Sequence, residues 1–207
     1  MHIAIAGNIG SGKTTLTDNL AKHYGWIPNY EDAGENPYLN DFYDDMPRWA
    51  FNLQVYFLHG RLRKILDIKN SGKDIVQDRT VYEDAYIFAE NLYEMNLMSE
   101  RDFKNYLDIF EFTTSLLQPP DLLIYLKAAV PSLLKQIKKR GRKYEAGISP
   151  DYLSKLNEKY NSWTSTYDKG KILIVDIDEL NFSNTMNDLY KVTDLIDKEL
   201  KIKEIKK

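Results

Sequence analysis

The 207-residue chain contains no cysteine. A protein without thiols has no disulfide framework, no thiolate metal site and no catalytic cysteine, and it fits a reducing compartment. A secretory signal is not expected at the N-terminus, because the apolar run 3–6 is short and leads directly into a glycine-rich segment. The sequence therefore favours a cytoplasmic protein.

Long hydrophobic runs and an excess of positive charge are also missing. No stretch approaches the roughly 20 apolar residues of a membrane-spanning helix, so no membrane partner is expected. The formal net charge of −3 gives no reason to expect a nucleic acid partner. A hydrophobic content of 43% is ordinary for an ordered globular protein, and the length favours one domain covering 1–207.

Short apolar segments alternate with longer helical patterns along the chain. Strands are predicted at 1–6, 26–31, 74–78, 122–126 and 171–175. Helices are predicted at about 13–24, 47–71, 99–117 and 150–166, from about 184 onward, after the capping-box pair Thr80 and Glu83, and from Pro131. This alternation predicts an α/β fold with a five-stranded parallel sheet flanked by helices. Ligands of such sheets bind at the carboxyl ends of the strands.

The first predicted strand leads into a complete phosphate-binding motif, G-x-x-x-x-G-K-[ST]. It consists of eight consecutive residues, Gly7, Asn8, Ile9, Gly10, Ser11, Gly12, Lys13 and Thr14. The strand before it and the helix after it are the context that a P-loop requires. Backbone N–H groups, including that of Thr15, would surround a phosphate at the helix N-terminus. Lys13 would reach the β- and γ-phosphates, and Thr14 would bind Mg²⁺. The alternative, a glycine-rich turn that binds no ligand, fits a strand-to-helix context less well.

The P-loop motif occurs in kinases, GTPases and ATP-driven machines. The N-K-x-D and D-x-x-G elements expected of a GTPase are both missing from the sequence. The acid Asp78, followed directly by Arg79, closes the third predicted strand and is more typical of small-molecule kinases. The sequence therefore predicts a P-loop kinase fold.

Several segments beyond the P-loop carry acids, amides and aromatic residues in a recurring order. Glu31 closes the second predicted strand, 48–54 lies on the long helix, 78–84 closes the third strand, and an Arg-Gly-Arg element follows at 140–142. In this order the set resembles the deoxyribonucleoside kinase family, whose members phosphorylate deoxycytidine, deoxyadenosine and deoxyguanosine. The resemblance extends from residue 1 to about 182. Each acceptor-side motif alone is weak, and their ordered combination is specific.

The resemblance implies the residues of phosphate transfer. Glu31 matches a carboxylate beside the 5′-hydroxyl, where it can accept the proton. Asp78 matches an acid that either binds Mg²⁺ or shares the role of base, and the sequence leaves both open. Arg79 is implied to bind the 5′-oxygen and the developing charge of the phosphate. Thr80 replaces the family's usual serine and is nearly equivalent to it as a helix N-cap.

The resemblance also implies a nucleobase site. Gln54 and Arg61 are seven residues apart and share one face of the long helix. Gln54 matches an amide that reads the base edge, and Asp84 matches the acid that pairs with the arginine near the base. Phe88 is implied to stack on the base, with an ordinary core aromatic as the alternative. Arg61 and Asp84 together resemble the members that take deoxyadenosine, deoxyguanosine or deoxycytidine rather than thymidine. Deoxyadenosine is the first expectation among these, followed by deoxyguanosine or deoxycytidine.

Sugar contacts are implied at two further positions. Tyr43 lies eleven residues before Gln54, as the sugar-binding tyrosine of the family does. Glu145 matches the acid that follows the arginine-rich lid. Together they resemble a clamp on the 3′-hydroxyl. A tyrosine packed where a 2′-hydroxyl would lie favours deoxyribose over ribose.

A dense basic run at 138–143 is predicted to belong to a lid at about 138–147. Gly141 breaks the helix, and Arg140 and Arg142 flank it, which suits a lid that closes over ATP and contacts the transferring phosphate. The family often carries another arginine where this chain has Gln136. Charge stabilisation by the lid is therefore expected to depend mainly on Arg140.

The rest of the resemblance concerns ATP and assembly. Residues 176–182 resemble the loop that frames the adenine of ATP, with Glu179, Leu180 and Phe182 as the matching positions, although the spacing differs by one residue. Inhibition by a deoxynucleoside triphosphate is also implied, as is a homodimer built through the long helices at about 46–71 and 99–117.

Two other functions remain as alternatives. A thymidylate-type nucleoside monophosphate kinase shares the P-loop, the Asp-Arg element and a basic lid, but it needs an extra cationic site for the phosphate of its acceptor. Glu31 and Gln54 fit a neutral acceptor better. A non-catalytic nucleotide sensor is the second alternative, and the complete set of acceptor-side residues argues against it.

Overall fold

The computed structural model describes residues 1–31, 36–142, 145, 147–180, 182 and 185–201. Its strands are β1 (His2–Gly7), β2 (Ile27–Asn29), β3 (Ile75–Asp78), β4 (Leu122–Lys127) and β5 (Lys171–Asp176). They form one five-stranded parallel sheet in the order β2-β3-β1-β4-β5. The predicted sheet is confirmed, and the strand that leads into the P-loop lies at its centre.

Helices connect the strands. They are α1 (Lys13–Tyr24), α2 (Leu39–Asp44), α3 (Met46–Ser71), α4 (Val81–Glu83), α5 (Glu90–Glu94), α6 (Glu100–Ser115), α7 (Val130–Arg140), α8 (Pro150–Ser165) and α9 (Met186–Leu200). The predicted long helices are confirmed, with ends that differ by one or two residues. Within the described ranges, no helix is both long enough and apolar enough to cross a bilayer.

The alternation of side chains along β1 decides which helices cover each face of the sheet. Ile3 and Ile5 are fully buried in a cluster that includes residues of α1 and α9. Ala4 and Ala6 point to the opposite face, where they form a buried cluster with Leu123. Trp163 of α8 packs against this cluster. Helices therefore cover both faces of this buried strand, with large side chains toward one layer and small ones toward the other.

The second strand is shorter than the sequence predicts. The prediction of 26–31 was wrong at its end, because β2 stops at Asn29 and pairs with β3 only as far as Asn29 opposite Gln77. Glu31 therefore lies beyond the strand rather than at its last position. Residues 32–35, which follow it, are outside the described residues.

A π-helical segment, Asp84–Ala89, separates α4 from α5. The capping box is confirmed, since the Thr80 hydroxyl accepts from Glu83 N and the Glu83 carboxylate accepts from Thr80 N. The sequence predicted a helix here but not its wider turns. π-Helical turns are rare and are found frequently at functional sites. This one carries both Asp84 and Phe88.

The carboxyl ends of β1 and β3 bring the P-loop and the Asp78-Arg79 element together. Ile5 is paired in register with Asp78, so β3 ends beside the strand that enters the P-loop. Arg79 then donates its backbone N–H to Ile5 O at 2.9 Å and has a φ of 72°, a left-handed conformation that is uncommon outside glycine. This turn directs the chain from the sheet edge into the capping box of α4.

Candidate active site

The P-loop needs two of its glycines for distinct reasons. Gly12 has a φ of 86° and is the N-cap residue of α1. Gly10 has a φ of 85°, and a Cβ there would lie 2.8 Å from Leu133 O and 2.9 Å from Cγ1 of Ile137. Both of these contacts belong to α7. The phosphate loop and the helix that leads to the predicted lid therefore touch directly at Gly10.

Lys13 is buried and is held by backbone carbonyls. Its Nζ donates to Gly7 O at 2.8 Å and to Asn8 O at 3.1 Å, and the residue is 7% exposed. Burial and the nearby positive charge of Arg79 lower the pKa of Lys13 to about 8. A buried ammonium that is paired with neutral carbonyls gains by exchanging them for anionic phosphate oxygens.

Asn8 fixes the P-loop to α8. Its Nδ2 donates to Leu153 O at 3.0 Å and to Asn157 Oδ1 at 2.7 Å, while its Oδ1 accepts from the N–H of Ile9 at 2.7 Å. Asn157 in turn donates to Ala128 O at the end of β4. The loop is therefore shaped by side-chain hydrogen bonds and not only by its glycines. Neither Asn157 nor this clamp was predicted from the sequence.

Thr14 and Asp78 form a pair that suits a hard divalent cation. Thr14 Oγ1 donates to Asp78 Oδ2 at 2.6 Å, and Asp78 Oδ1 is buried without a hydrogen-bond partner. Burial raises the pKa of Asp78, so an added positive charge would favour its ionised form. Magnesium is commonly held by one or two protein oxygens together with phosphate oxygens and water. Among the described residues, no group of three or more His, Cys, Asp or Glu side chains is placed to hold a metal ion.

Four charged side chains form a continuous alternating row. Arg79 donates from Nε to Glu31 Oε2 at 3.0 Å, Arg61 Nη2 donates to Glu31 Oε1, and Arg61 Nε makes an ion pair with Asp84 Oδ2. Burial alone would raise the pKa of Glu31, but Arg79 and Arg61 hold it well below its usual range. Burial raises the pKa of Asp84, and Arg61 opposes that rise. The structure thus brings four of the predicted acceptor-side residues into direct contact.

Glu83 anchors the other side of Arg79. It is 0% exposed, and its carboxylate accepts from Gly7 N at 3.2 Å, from Thr80 N at 2.7 Å and from Arg79 Nη1 at 3.4 Å. The Tyr160 hydroxyl lies 2.7 Å from the same carboxylate and 2.8 Å from Gly7 O, so its single proton can serve only one of them. One buried acid therefore connects the P-loop, the capping box, Arg79 and α8.

Sequence reasoning missed the importance of this cluster. Glu83 was interpreted only as a capping residue, and Tyr160 was not singled out. The available signal was the position of Glu83, three residues after Thr80 and four after Arg79. At this spacing a capping glutamate can also pair with the arginine of the Asp-Arg element. Tyr160 is 81 positions from Arg79, and no local pattern identifies it.

The predicted base site contains an unsatisfied amide. Gln54 is 4% exposed, and its Oε1 is buried without a hydrogen-bond partner among the described residues. Leaving such a group unpaired costs about 1–3 kcal/mol. Phe57 lies on the same helix with its ring 5.9 Å from the Arg61 guanidinium. Gln54 and Arg61 therefore present buried polar atoms that a ligand with donors and acceptors could satisfy.

Two predicted nucleoside contacts lie in aromatic surroundings. The Phe88 ring is 4.6 Å from the guanidinium carbon of Arg79, and it packs, partly buried, against a cluster that includes Leu156 and Tyr160 of α8. Tyr43 lies in α2 and packs, also partly buried, against a cluster that includes Leu53 of α3. Phe88 is therefore close to Arg79, and Tyr43 is close to α3, the helix that carries Gln54.

The predicted lid begins where α7 ends. Gly141 has a φ of 69° and terminates the helix directly after Arg140, as predicted. Arg140 donates to Glu145 at 3.1 and 2.5 Å, and Arg142 Nη1 lies 3.7 Å from the same carboxylate. Glu145 is 5% exposed and holds both lid arginines. The remaining lid positions 143, 144 and 146 lie outside the described residues.

The predicted adenine loop is divided between core and surface. Phe182 is 5% exposed, and its ring lies 3.5 Å from the place of a Cβ on Gly12. Phe182 O accepts from Asn19 of α1 at 3.1 Å. Glu179 is exposed and Leu180 is half-buried. Phe182 thus packs behind the P-loop, and the two residues before Asn181 remain accessible.

The comparisons with known proteins agree on one family. A family model described as deoxynucleoside kinase matches residues 3–201. The chain is 37% identical over 196 residues to a deoxyadenosine/deoxycytidine kinase of Bacillus subtilis (strain 168), covering 94% of this chain and 90% of the relative. It is 36% identical over 211 residues to a deoxyadenosine kinase of Lactobacillus acidophilus, covering 96% of both chains.

Solved structures give the same result. A deoxyadenosine kinase from M. mycoides with bound dATP is similar to this chain, with a TM-score of 0.83, 31% identity, and coverage of 95% of this chain and 99% of that one. The same enzyme with bound dCTP gives a TM-score of 0.82, 30% identity, and coverage of 96% and 100%.

We expect Glu83 and Tyr160 to be energetically coupled. Glu83→Gln and Tyr160→Phe each keep the shape of the side chain, and a double-mutant cycle in urea should give a coupling of about 1–3 kcal/mol, because both belong to one buried network. The matched control is the exposed pair Glu100→Gln and Lys104→Gln on α6, which should show no resolvable coupling. Additive effects of Glu83→Gln and Tyr160→Phe would contradict the network.

Proposed function

We infer the reaction from one premise, that this chain belongs to the deoxynucleoside kinase family. It is a kinase that phosphorylates deoxynucleosides with ATP as the donor. We propose that the γ-phosphate passes to the 5′-hydroxyl, with deoxyadenosine preferred and deoxyguanosine or deoxycytidine next. One observation carries this proposal: Glu31, which can accept a hydroxyl proton, is joined to Arg79, which can bind a phosphate, at 3.0 Å.

The donor side consists of the P-loop and the lid. We propose that Lys13 exchanges its two carbonyl partners for the β- and γ-phosphates of ATP, which the loop N–H groups through Thr15 also bind. Thr14 and Asp78 would hold Mg²⁺, which neutralises phosphate charge when bound. Arg140 and Arg142 would leave Glu145 and contact the transferring phosphate when the lid, about 138–147, closes. Closure would also exclude water, the competing acceptor.

The acceptor side holds the nucleoside by its base and sugar. We propose that Glu31, with Asp78 as the second candidate, takes the 5′-proton while Arg79 stabilises the charge of the transferring group. The remaining contacts are divided by what they bind. The proposed set is Gln54, Arg61, Asp84 and Phe88 for the base, Tyr43 and Glu145 for the sugar, and Glu179, Leu180 and Phe182 for the adenine of ATP.

The choice of deoxyadenosine is supported by the relatives and by the base site. Relatives from three organisms are deoxyadenosine or deoxyadenosine/deoxycytidine kinases at 36–38% identity. Relatives described as deoxyguanosine kinases match at 33–34%. The unsatisfied amide oxygen of Gln54 suits an amino group on the base, which adenine, cytosine and guanine carry and thymine lacks. A location in the cytoplasm stays a prediction, and cell fractionation with an antibody to the protein would test it.

The acceptor assay decides the function. Purified protein is incubated with Mg²⁺ and ATP, and separately with deoxyadenosine, deoxyguanosine, deoxycytidine, thymidine or dTMP, while ADP and the phosphorylated product are measured. We expect product from deoxyadenosine at the highest kcat/KM. Product from dTMP alone would identify a thymidylate-type kinase, and no acceptor-dependent ADP would indicate a nucleotide sensor.

Glu31→Gln and Arg79→Ala should lower kcat more than they raise KM. Loss of a positioned proton acceptor costs about 10²–10⁴-fold in rate, and Arg79 acts on charge that develops only in the transition state. Steady-state kinetics with deoxyadenosine measure both parameters, and the free energy of unfolding serves as the control for folding. Unchanged turnover in either variant would remove the role assigned to that residue.

We also propose a homodimer formed through α3 and α6. Ile109 and Phe112 of α6 and its C-cap residue Leu116 follow one another at helical spacing and are 38%, 68% and 64% exposed, and Leu66 of α3 is 48% exposed. Exposed apolar stripes of this kind mark interaction surfaces. Phe112→Glu should convert a dimer to a monomer in light scattering, whereas Glu111→Lys, one residue away and off the stripe, should not. A monomeric wild type would contradict the proposal.

Feedback by a deoxynucleoside triphosphate is a further proposal. The similar M. mycoides enzyme has been solved with dATP and with dCTP bound. A triphosphate that occupies donor and acceptor sites together should compete with both ATP and the deoxynucleoside. Inhibition patterns for dATP and dCTP against each substrate test this, and an absence of inhibition by both would refute it.

A further inference from the structure

Each carboxylate oxygen of Glu31 accepts a hydrogen bond from an arginine. Oε2 accepts from Arg79 Nε at 3.0 Å, and Oε1 accepts from Arg61 Nη2. The Glu31 side chain is only 21% exposed, so water does not surround it freely. Each oxygen keeps a second lone pair that a 5′-hydroxyl could approach, but the two guanidinium charges hold the pKa of Glu31 well below its usual range. Glu31 would therefore become a better proton acceptor when one of the two moves away.

Arg79 is the harder one to displace. Besides Glu31, its Nη1 contacts the Glu83 carboxylate at 3.4 Å and the Tyr160 hydroxyl at 3.2 Å. Its guanidinium also lies over the Phe88 ring, and its backbone N–H is bonded to β1. Partners on every side hold Arg79 where the transferring phosphate needs it.

Arg61 has fewer anchors and an alternative partner. It projects from α3 and pairs with Glu31 at Nη2 and with Asp84 at Nε, while the Phe57 ring is 5.9 Å away. Both the arginine and Asp84 are nearly fully buried, with side-chain exposures of 6% and 3%. Releasing Glu31 would leave Arg61 still paired with Asp84, so the guanidinium would not become an isolated buried charge.

The base site lies on the same face of α3. Gln54, two helical turns before Arg61, has a buried Oε1 without a hydrogen-bond partner among the described residues. A nucleobase that satisfies Gln54 would therefore meet the Arg61 guanidinium as well. Ring nitrogens and exocyclic oxygens of a base are acceptors, and Arg61 is a donor with no acceptor function.

We propose that Arg61, by pairing with Glu31, keeps Glu31 a weak proton acceptor until the base of the nucleoside draws Arg61 away from Glu31 and toward Asp84, so that transfer depends on the base as well as on the hydroxyl. This role deepens the proposed function and depends on it. Arg61 would then act on the reaction through Glu31 and would be a positioning residue. Part of the binding energy of the base would appear in kcat and not in KM.

The arrangement would also suppress side reactions. With ATP bound and no nucleoside present, water reaching the γ-phosphate would find Glu31 paired with both guanidinium groups, and Glu31 would accept its proton poorly. A small alcohol that enters without a base would meet the same obstacle. Selectivity for a nucleoside would thus be set at the proton acceptor as well as by the shape of the pocket.

A substrate divided into two pieces tests this role. The abasic acceptor 1,2-dideoxy-D-ribose carries the 3′- and 5′-type hydroxyls without a base, and free adenine is added separately. For the wild type we expect kcat for the abasic acceptor to be at least about 100-fold below that for deoxyadenosine, and adenine to raise it by about tenfold or more. Equal kcat values for the abasic acceptor and deoxyadenosine would overturn the proposal.

A double variant removes the pairing of Arg61 with Glu31 directly. Arg61→Met combined with Asp84→Asn deletes both buried charges and leaves Glu31 paired with Arg79 alone. Its kcat for the abasic acceptor should exceed that of the wild type by about tenfold and should no longer respond to adenine. The control, Lys104→Met with Glu100→Gln, deletes one charge of each sign on the surface of α6 and should leave both activities unchanged.

The outcomes separate the two levels of the proposal. If the wild type phosphorylates no deoxynucleoside, the proposed function itself fails. If it phosphorylates deoxyadenosine but the double variant is no faster than the wild type on the abasic acceptor, only the role of Arg61 fails. Should the double variant not fold, as judged by circular dichroism, Arg61→Gln replaces it with the same expectation.

Discussion

The buried carboxylate of Glu83 is the interaction on which the active site depends. A buried acid without contact to solvent is stable only when several polar partners satisfy its oxygens. Here the partners are the N–H of Gly7 at the start of the P-loop, the N–H of the N-cap Thr80, the guanidinium of Arg79 and the hydroxyl of Tyr160 in α8, whose proton is shared between Glu83 and Gly7 O. Each of these groups belongs to a different part of the site, so satisfying one charge fixes their relative positions.

The same cluster maintains a strained backbone. Arg79 has a φ of 72°, and the left-handed region costs an L-residue roughly 1–2 kcal/mol. The bond from its N–H to Ile5 O and the side-chain contacts with Glu31 and Glu83 offset this cost. The left-handed turn points the side chain back across the end of the sheet, where it meets Glu31, and a relaxed extended residue would continue away from the sheet.

Much of the architecture could be predicted from the sequence, because its signals are local. The apolar runs of β1 and β4, the glycine pattern of the P-loop and the capping box at Thr80 each lie within a few neighbouring residues. The resemblance to a known family then supplied acceptor-side residues, and Glu31, Arg61, Arg79 and Asp84 do lie in contact. What could not be predicted depends on packing between distant segments. The π-helical turns of Asp84–Ala89, the clamp from Asn8 to Asn157 and the hydroxyl of Tyr160 have no local sequence signature.

The two groups of arginines differ in how far water reaches them, and this separates their responses to ionic strength. Arg61 and Arg79 are each 6% exposed, whereas Arg140 and Arg142 are 33% and 44% exposed around Glu145. Dissolved ions screen charges that solvent can reach and affect buried pairs far less. Added salt would therefore weaken the ion pairs of Arg140 and Arg142 with Glu145. The ion pairs of Arg61 and Arg79 with Glu31 would persist, so ionic strength would act on one group of arginines and leave the other unchanged.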